Sequence, residues 1–306
     1  MGIEYCYFRS CFEYLAIKQL ALIRLKNAVD NYSVNSLKQQ VYSIHTSYRA
    51  NECCQVVYVS NVAFTLGKSL KTPPLEVAKS LASYYETDTR QKDFIITVVQ
   101  PGFLQLKLTD LKLANWLQCL PFLPLMLANL PLPGYSNLLS TNSSGLFAIQ
   151  SAHARCYSLM QLAQREGLIN LEEISANKIK SMFAGLDTAF QEGNILIFTH
   201  PQPLPWLNYR QQLQFEHRAD YALIIQLVKA VDDLCSSSQS NLNYWAKTAL
   251  NLSQAFAEFL SHCRIFGETN AQLPKLAQGR LGLILGTYVV LKLLLRRLGA
   301  FAPQEL

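Results

Sequence analysis

The sequence predicts two domains in tandem, an α+β domain with a small antiparallel sheet followed by an all-α helical bundle. Three observations carry this. Strand-like alternation is concentrated in residues 1–118, long helical apolar stripes fill residues 146–306, and the segment 119–145 between them holds no charged residue. At 306 residues, 50% hydrophobic and 16% charged, the chain can bury a core in each half.

Residues 11–30 place Leu15, Leu20, Leu22 and Leu25 at helical spacing among Lys and Arg, so a helix opens the first domain. "CQVVYVSNVAF" reads as a strand running into a helix. In "LKTPPLEVAKSLASYY" Thr72 can cap, Pro73 suits the first helical position and Glu76 favours the first turn. "DFIITVVQPGFLQLKLTD" predicts a hairpin. Ile95–Val99 are rich in β-branched residues, Gln100-Pro101-Gly102 is turn chemistry, and Leu104, Leu106 and Leu108 alternate with Gln105 and Lys107.

"CLPFLPLMLANLPLPGYSNLLSTNSSG" contains four prolines, which argue against a long helix or a central strand. Its apolar content predicts a packed linker. From Leu146 the pattern is helical. Asn170 with Glu173 reads as a capping box, and Trp245, Leu252, Phe256, Phe259 and Cys263 fall on one stripe with Gly267 as the stop. A last buried helix ends at Gly299, and the prolines of "NILIFTHPQPLPWL" read as a loop.

Net charge is +6, with 13 Lys/Arg against 9 Asp/Glu in residues 1–118 and 14 against 12 in residues 146–306. This mild excess is compatible with a polyanion partner without demanding one. Eight scattered cysteines form no CxxC and have no histidine at metal-ligand spacing, which predicts reduced thiols and no metal site. Glu4 and Glu13 interrupt the N-terminal region, so it does not read as a signal peptide. "LGLILGTYVVLKLLL" is broken by Lys292 and too short for a membrane span of ~20 residues. A soluble, cytoplasmic protein with no membrane partner is the expectation.

No Gly-rich phosphate loop, Gly-x-Ser-x-Gly elbow or His-Glu-x-x-His helix is present. Glu216-His217-Arg218-Asp220 is dense in titratable groups and reads as a solvated helix face. "GLFAIQSAHARCYSLMQLAQ" brings Gln150, His153 and Arg155 close together, but two positions on a helix are ~200° apart. His153 shares the side of Ile149 and Cys156 and faces the core. Arg155 shares that of Ser151 and Leu159 and is freer to meet a partner. These groups do not converge on one substrate atom, and no catalytic residue is assigned.

Several segments resemble one family, the arginyl-tRNA synthetases. "FAIQSAHARCYSL" resembles the Tyr-Val-Gln-Tyr-Ala-His-Ala-Arg segment leading into their C-terminal anticodon-binding domain of the DALR type. "LSQAFAEFLSHCRIFGE" and "RLGLILGTYVVLKLLLRRLGAFAPQEL" are similar to that domain's later helices. "YVSNVAFTLGKSLKTPPLEVAKSLASYY" and "VVQPGFLQLKLTD" resemble the helix pair and hairpin of the same enzymes' additional N-terminal domain. One departure is that Val56-Val57 replace a Gly-Asp pair. The larger departure is that residues 119–145 stand where the family has its Rossmann-type catalytic domain, with its His-x-Gly-His and Lys-Met-Ser-Lys-type motifs. Adenylation needs cationic groups against developing phosphate charge, and this segment has no Lys, Arg or His.

The resemblance implies an N-terminal module at 1–118, a linker at 119–145 and a DALR-like module at 146–306. It implies a noncatalytic tRNA-binding protein without a cofactor, with arginine tRNA as the specific expectation. In the family the N-terminal hairpin touches the D-loop at the tRNA elbow, and the matching positions are Gln100, Phe103 and Gln105. A base stacked on Phe and read by Gln is sound RNA chemistry, although Phe103 equally suits a hairpin core. Arg155, Arg264 and Arg280 match family arginines, and Lys292, Arg296 and Arg297 form a basic cluster able to neutralise phosphates or to cap the last helix. The alternative is a regulatory or protein-interaction module that has lost tRNA binding. A free-standing piece of a split synthetase fits less well, because a partner would have to insert between the two modules.

Overall fold

The structure is a computed structural model that describes residues 15–32, 44–46, 55–87, 93–127, 143–175, 178, 194–236, 241–267 and 273–305. The chain divides into two compact units, within Tyr14–Leu113 and Ala114–Leu306.

The first unit runs α1 (Ile17–Tyr32), β1 (Ile44–Thr46), β2 (Val57–Ser60), α2 (Val62–Leu70), α3 (Pro74–Thr87), β3 (Phe94–Val99), β4 (Phe103–Leu108) and the start of α4 (Asp110–Cys119). Its four strands form an antiparallel sheet in the order β1-β2-β4-β3. Leu104, Leu106 and Leu108 are buried, as the alternation requires. Leu20, Leu25, Val77 and Leu81 complete the apolar layer from α1 and α3. Arg24 of α1 donates to Asp93 Oδ2 at 2.6 Å, and Lys112 lies 3.4 Å from the same carboxylate. Val56 and Val57, where the family has Gly-Asp, belong to strand pairing: Leu108 N–H donates to Val56 O at 3.0 Å and Val57 pairs with Lys107. β-branched residues suit that extended backbone. The start of α3 differs by one residue from expectation. Pro74 is its first residue, and the Pro73 carbonyl accepts from Glu76 N–H at 3.0 Å.

The second unit continues through a 3₁₀ turn (Leu120–Phe122), α5 (Leu123–Met126), α6 (Ser143–Arg165), β5 (Asn170–Ser175), β6 (Asn194–His200), α7 (Arg218–Cys235), α8 (Leu242–His262) and α9 (Leu273–Arg297). The described start of the charge-free linker is buried: Leu125 packs with Ile174 and Ile195, flanked by Phe122 and Ile197. Residues 128–142 lie outside the described residues. The stripe on α8 is buried as expected, but the helix ends at His262 rather than near Gly267. Helix α9 is long and apolar enough to cross a membrane, yet 89% of its apolar 18-residue window is buried inside the protein. It stops at Gly299 (φ 68), where Ala300 N–H donates to Leu295 O at 2.9 Å and Gly299 N–H to Arg296 O at 3.1 Å, the Schellman pattern.

Two features correct the sequence reading. Asn170–Ser175 is a strand paired with Asn194–His200, so Asn170 and Glu173 form no capping box and the "NILIFTH" part of the expected loop is strand. Gly167 (φ 69) stops α6 by the same Schellman pattern and releases the chain into β5. Cys119 is disulfide-bonded, whereas Cys156, Cys235 and Cys263 are the free thiols the composition predicts.

Candidate nucleic-acid interfaces

In the first unit, β4 directs Leu104, Leu106 and Leu108 inward and Phe103, Gln105 and Lys107 to the other face. Register places Gln105 between Val59 and Thr97, and Phe103 opposite Val99. Phe103 is 37% exposed, and its inner side rests on Phe64 of α2, ring centroids 4.9 Å apart. It is therefore part anchor and part surface, between the two roles open from the sequence. Gln105 is half-buried and Gln100 is exposed at the turn. The turn needs Gly102: its φ is +149, and an added Cβ would lie 2.8 Å from Pro74 Cβ and 2.9 Å from Pro74 C. Helix α3 thus fixes the hairpin tip beside Gln100 and Phe103.

The second unit distributes its candidates unequally. Arg264 is exposed and Arg280 buried, and both line a cleft of about 450 Å³ with Glu166, Leu168 and Phe266. Arg280 is not available to phosphate as the resemblance suggested. Its Nε and Nη2 each donate to the Asp220 carboxylate at 3.0 Å, and its Nη1 donates to Arg264 O at 2.7 Å. Its charge is neutralised inside the fold, and it positions the backbone that carries Arg264. Asp220, read from sequence as part of a solvated face, is 0% exposed. It also accepts from His217 N–H at 3.3 Å, while His217 Nδ1 accepts from Ala219 N–H at 3.1 Å. The cluster is a helix start with an internal ion pair.

Lys292 and Arg296 are exposed one turn apart on α9. Although Lys292 is exposed, partial desolvation lowers its pKa; Glu173 of β5 opposes this, and Arg296 adds to it. The Arg297 guanidinium lies 4.9 Å from the Trp245 ring centroid, a cation–π contact that anchors the end of α9 on α8.

Arg155 is exposed on α6, whereas His153 is fully buried. His153 Nδ1 lies 2.6 Å from Pro303 O, and its ring stacks on Tyr288 at 4.3 Å. Burial is the main reason its pKa falls to about 4, so the neutral ring donates from Nδ1 and ties the tail to α6. His153 Nε2 is buried without a hydrogen-bond partner among the described residues. Burial also pushes the thiols of Cys235 and Cys263 up to about 12 and that of Cys156 well above its ordinary value, which leaves none of the three ionised for nucleophilic chemistry at neutral pH. Among the described residues no group of three or more His, Cys, Asp or Glu side chains could hold a metal ion.

Residues 48–108 match the family model of the arginyl tRNA synthetase N terminal domain, and residues 204–306 that of the DALR anticodon binding domain. Curated relatives include the arginine–tRNA ligases of Lactococcus lactis subsp. cremoris strain MG1363 and subsp. lactis strain IL1403. Each is 48% identical over 61 residues, 20% of this chain. The matched segment spans about a tenth of each ligase. No solved structure matches the chain.

Proposed function

We propose that this arginyl-tRNA synthetase-like chain, which joins that family's N-terminal domain to a DALR domain, is a noncatalytic tRNA-binding protein of the cytoplasm. Residues 1–118 serve as the elbow-contacting module and residues 146–306 as the anticodon-side module. The observation that carries the reading is that two domains from the tRNA-holding ends of a synthetase match residues 48–108 and 204–306, with the charge-free segment 119–145 lying between them.

Phe103, with Gln100 and Gln105 beside it, offers a stacking ring and amide edges to an unpaired base. Arg155, Arg264, Lys292 and Arg296 supply exposed cations for phosphates. Arginine tRNA is the preferred partner in this reading, by way of the relatives' specificity.

Titrating the purified protein against arginine tRNA and an unrelated tRNA at two salt concentrations tests it. The expected result is arginine-selective binding that weakens steeply with salt and is reduced by Phe103→Ala and Arg264→Ala. Weak, equal binding of both tRNAs would overturn it. A protein-binding role would then be the better account. The modest basic excess and the internal engagement of Arg280 and Arg297 favour that second reading.

A further inference from the structure

Residues 204–215 form a narrow loop whose base is buried and whose tip stands in solvent. Trp206, Leu213 and Phe215 are 4%, 5% and 3% exposed. The base seats on α9 where Gly282 leaves room: a Cβ there would collide with Trp206 Cη2. Trp206 Nε1 donates to Gln118 Oε1 at 2.8 Å, Leu207 and Leu213 pair as an antiparallel bridge, and Gln214 N–H donates to Trp206 O at 3.0 Å.

Asn208 then fixes the tip. Its Oδ1 accepts from Arg210 N–H at 2.8 Å and from Gln212 N–H at 3.1 Å. Its backbone N–H donates to Gln212 O at 2.8 Å, and its carbonyl accepts from Gln211 N–H at 3.0 Å. These bonds hold Gln211 at φ 60, a left-handed conformation that a non-glycine residue keeps only when its surroundings impose it.

The tip displays Tyr209 at 85% exposure, the highest among the exposed large hydrophobic residues described. The Arg210 guanidinium lies 5.3 Å from the centroid of the Tyr209 ring. The pinned backbone fixes where the ring is displayed, so the loop itself loses little freedom on binding. Its flanks are polar: Asn208, Arg210, Gln211 and Gln212 surround it. One ring beside a cation and amides offers a single base a face to stack on and its phosphate chain a charge to meet.

We infer that Tyr209 and Arg210 form a preformed stacking platform for one unpaired RNA base, with Arg210 on one face of the ring and the base on the other. The guanidinium edge also reaches the adjacent phosphate. This rests on the tRNA-binding reading and adds to it a contact point absent from the positions that the family resemblance supplies.

The test titrates the full chain and its Tyr209→Ala, Tyr209→Phe and Arg210→Ala variants against arginine tRNA and a short oligouridine, over a salt series. Tyr209→Ala should lose about tenfold in affinity for both RNAs at unchanged salt slope, because stacking releases no counterion. Tyr209→Phe should bind like the parent, and Arg210→Ala should lower both the affinity and the slope, the latter by about one. Tyr209→Ala binding both RNAs like the parent would overturn the platform and leave the tRNA reading standing. Oligouridine binding that needs Tyr209, without any tRNA binding, would support the platform and sink the tRNA reading. Failure of the parent to bind either RNA would overturn both.

Discussion

His153 shows how one side chain can resemble a catalytic group and act as a latch. Its position in "SAHAR" beside Arg155 invites a chemical role, but helical phase sends the two to different surroundings. Burial without full satisfaction depresses its pKa from 6.5 to about 4. The consequence for stability has a definite sign. Below about pH 6.5 the unfolded chain takes up a proton that the folded chain refuses until about pH 4. Stability from this residue is therefore complete above pH 6.5 and declines as pH falls towards 4, by about 3 kcal/mol across that window. Unfolding midpoints measured from pH 7 to pH 4 should fall less steeply for His153→Gln than for the parent. Identical slopes would show that His153 does not titrate in this way. The core-facing side of His153 is legible from Ile149 and Cys156 at helical spacing. Its bond to Pro303, 150 residues away, is not, because nothing local specifies where the tail returns.

At the scale of elements, the hairpin of the first unit is the most legible part of the chain. Alternating leucines, a β-branched strand and Gln-Pro-Gly turn chemistry each specify the same two strands and register. What they do not specify is that Pro74 presses on the turn. Gly102→Ala should destabilise the first unit by roughly 1–3 kcal/mol, since it meets both a φ unsuited to alanine and a Cβ contact of 2.8 Å. A urea midpoint unchanged from the parent would refute that account. In the second unit the β5–β6 ribbon escapes the sequence reading for a different reason. "NLEEIS" has polar residues where a helix start would place them, and its partner strand begins only at Asn194. Local patterns rank a capping box above a strand until the partner is known. The ion pair of Asp220 and Arg280 is invisible in the same way, because two charged residues 60 positions apart each look like surface.

On the scale of the whole molecule, two domains known from synthetase ends follow one another where an enzyme of that family carries its catalytic domain between them. With ATP, arginine and arginine tRNA supplied together, the protein should support neither pyrophosphate exchange nor aminoacylation, and its tRNA affinity should not change when ATP and arginine are added. Turnover above a buffer control would place adenylate chemistry in this chain and refute the noncatalytic reading. The sequence by itself determined the small antiparallel sheet of the first part, the helical character of the second, and the family resemblance, because periodicity, turn chemistry and motif order are local properties. Only the tertiary structure decided which candidate arginines face solvent, which one is neutralised against a buried aspartate, and that an exposed tyrosine stands on a pinned turn. Those outcomes depend on which distant residues share a neighbourhood, and burial and pairing, rather than residue type, set whether a charge or a ring can meet a partner.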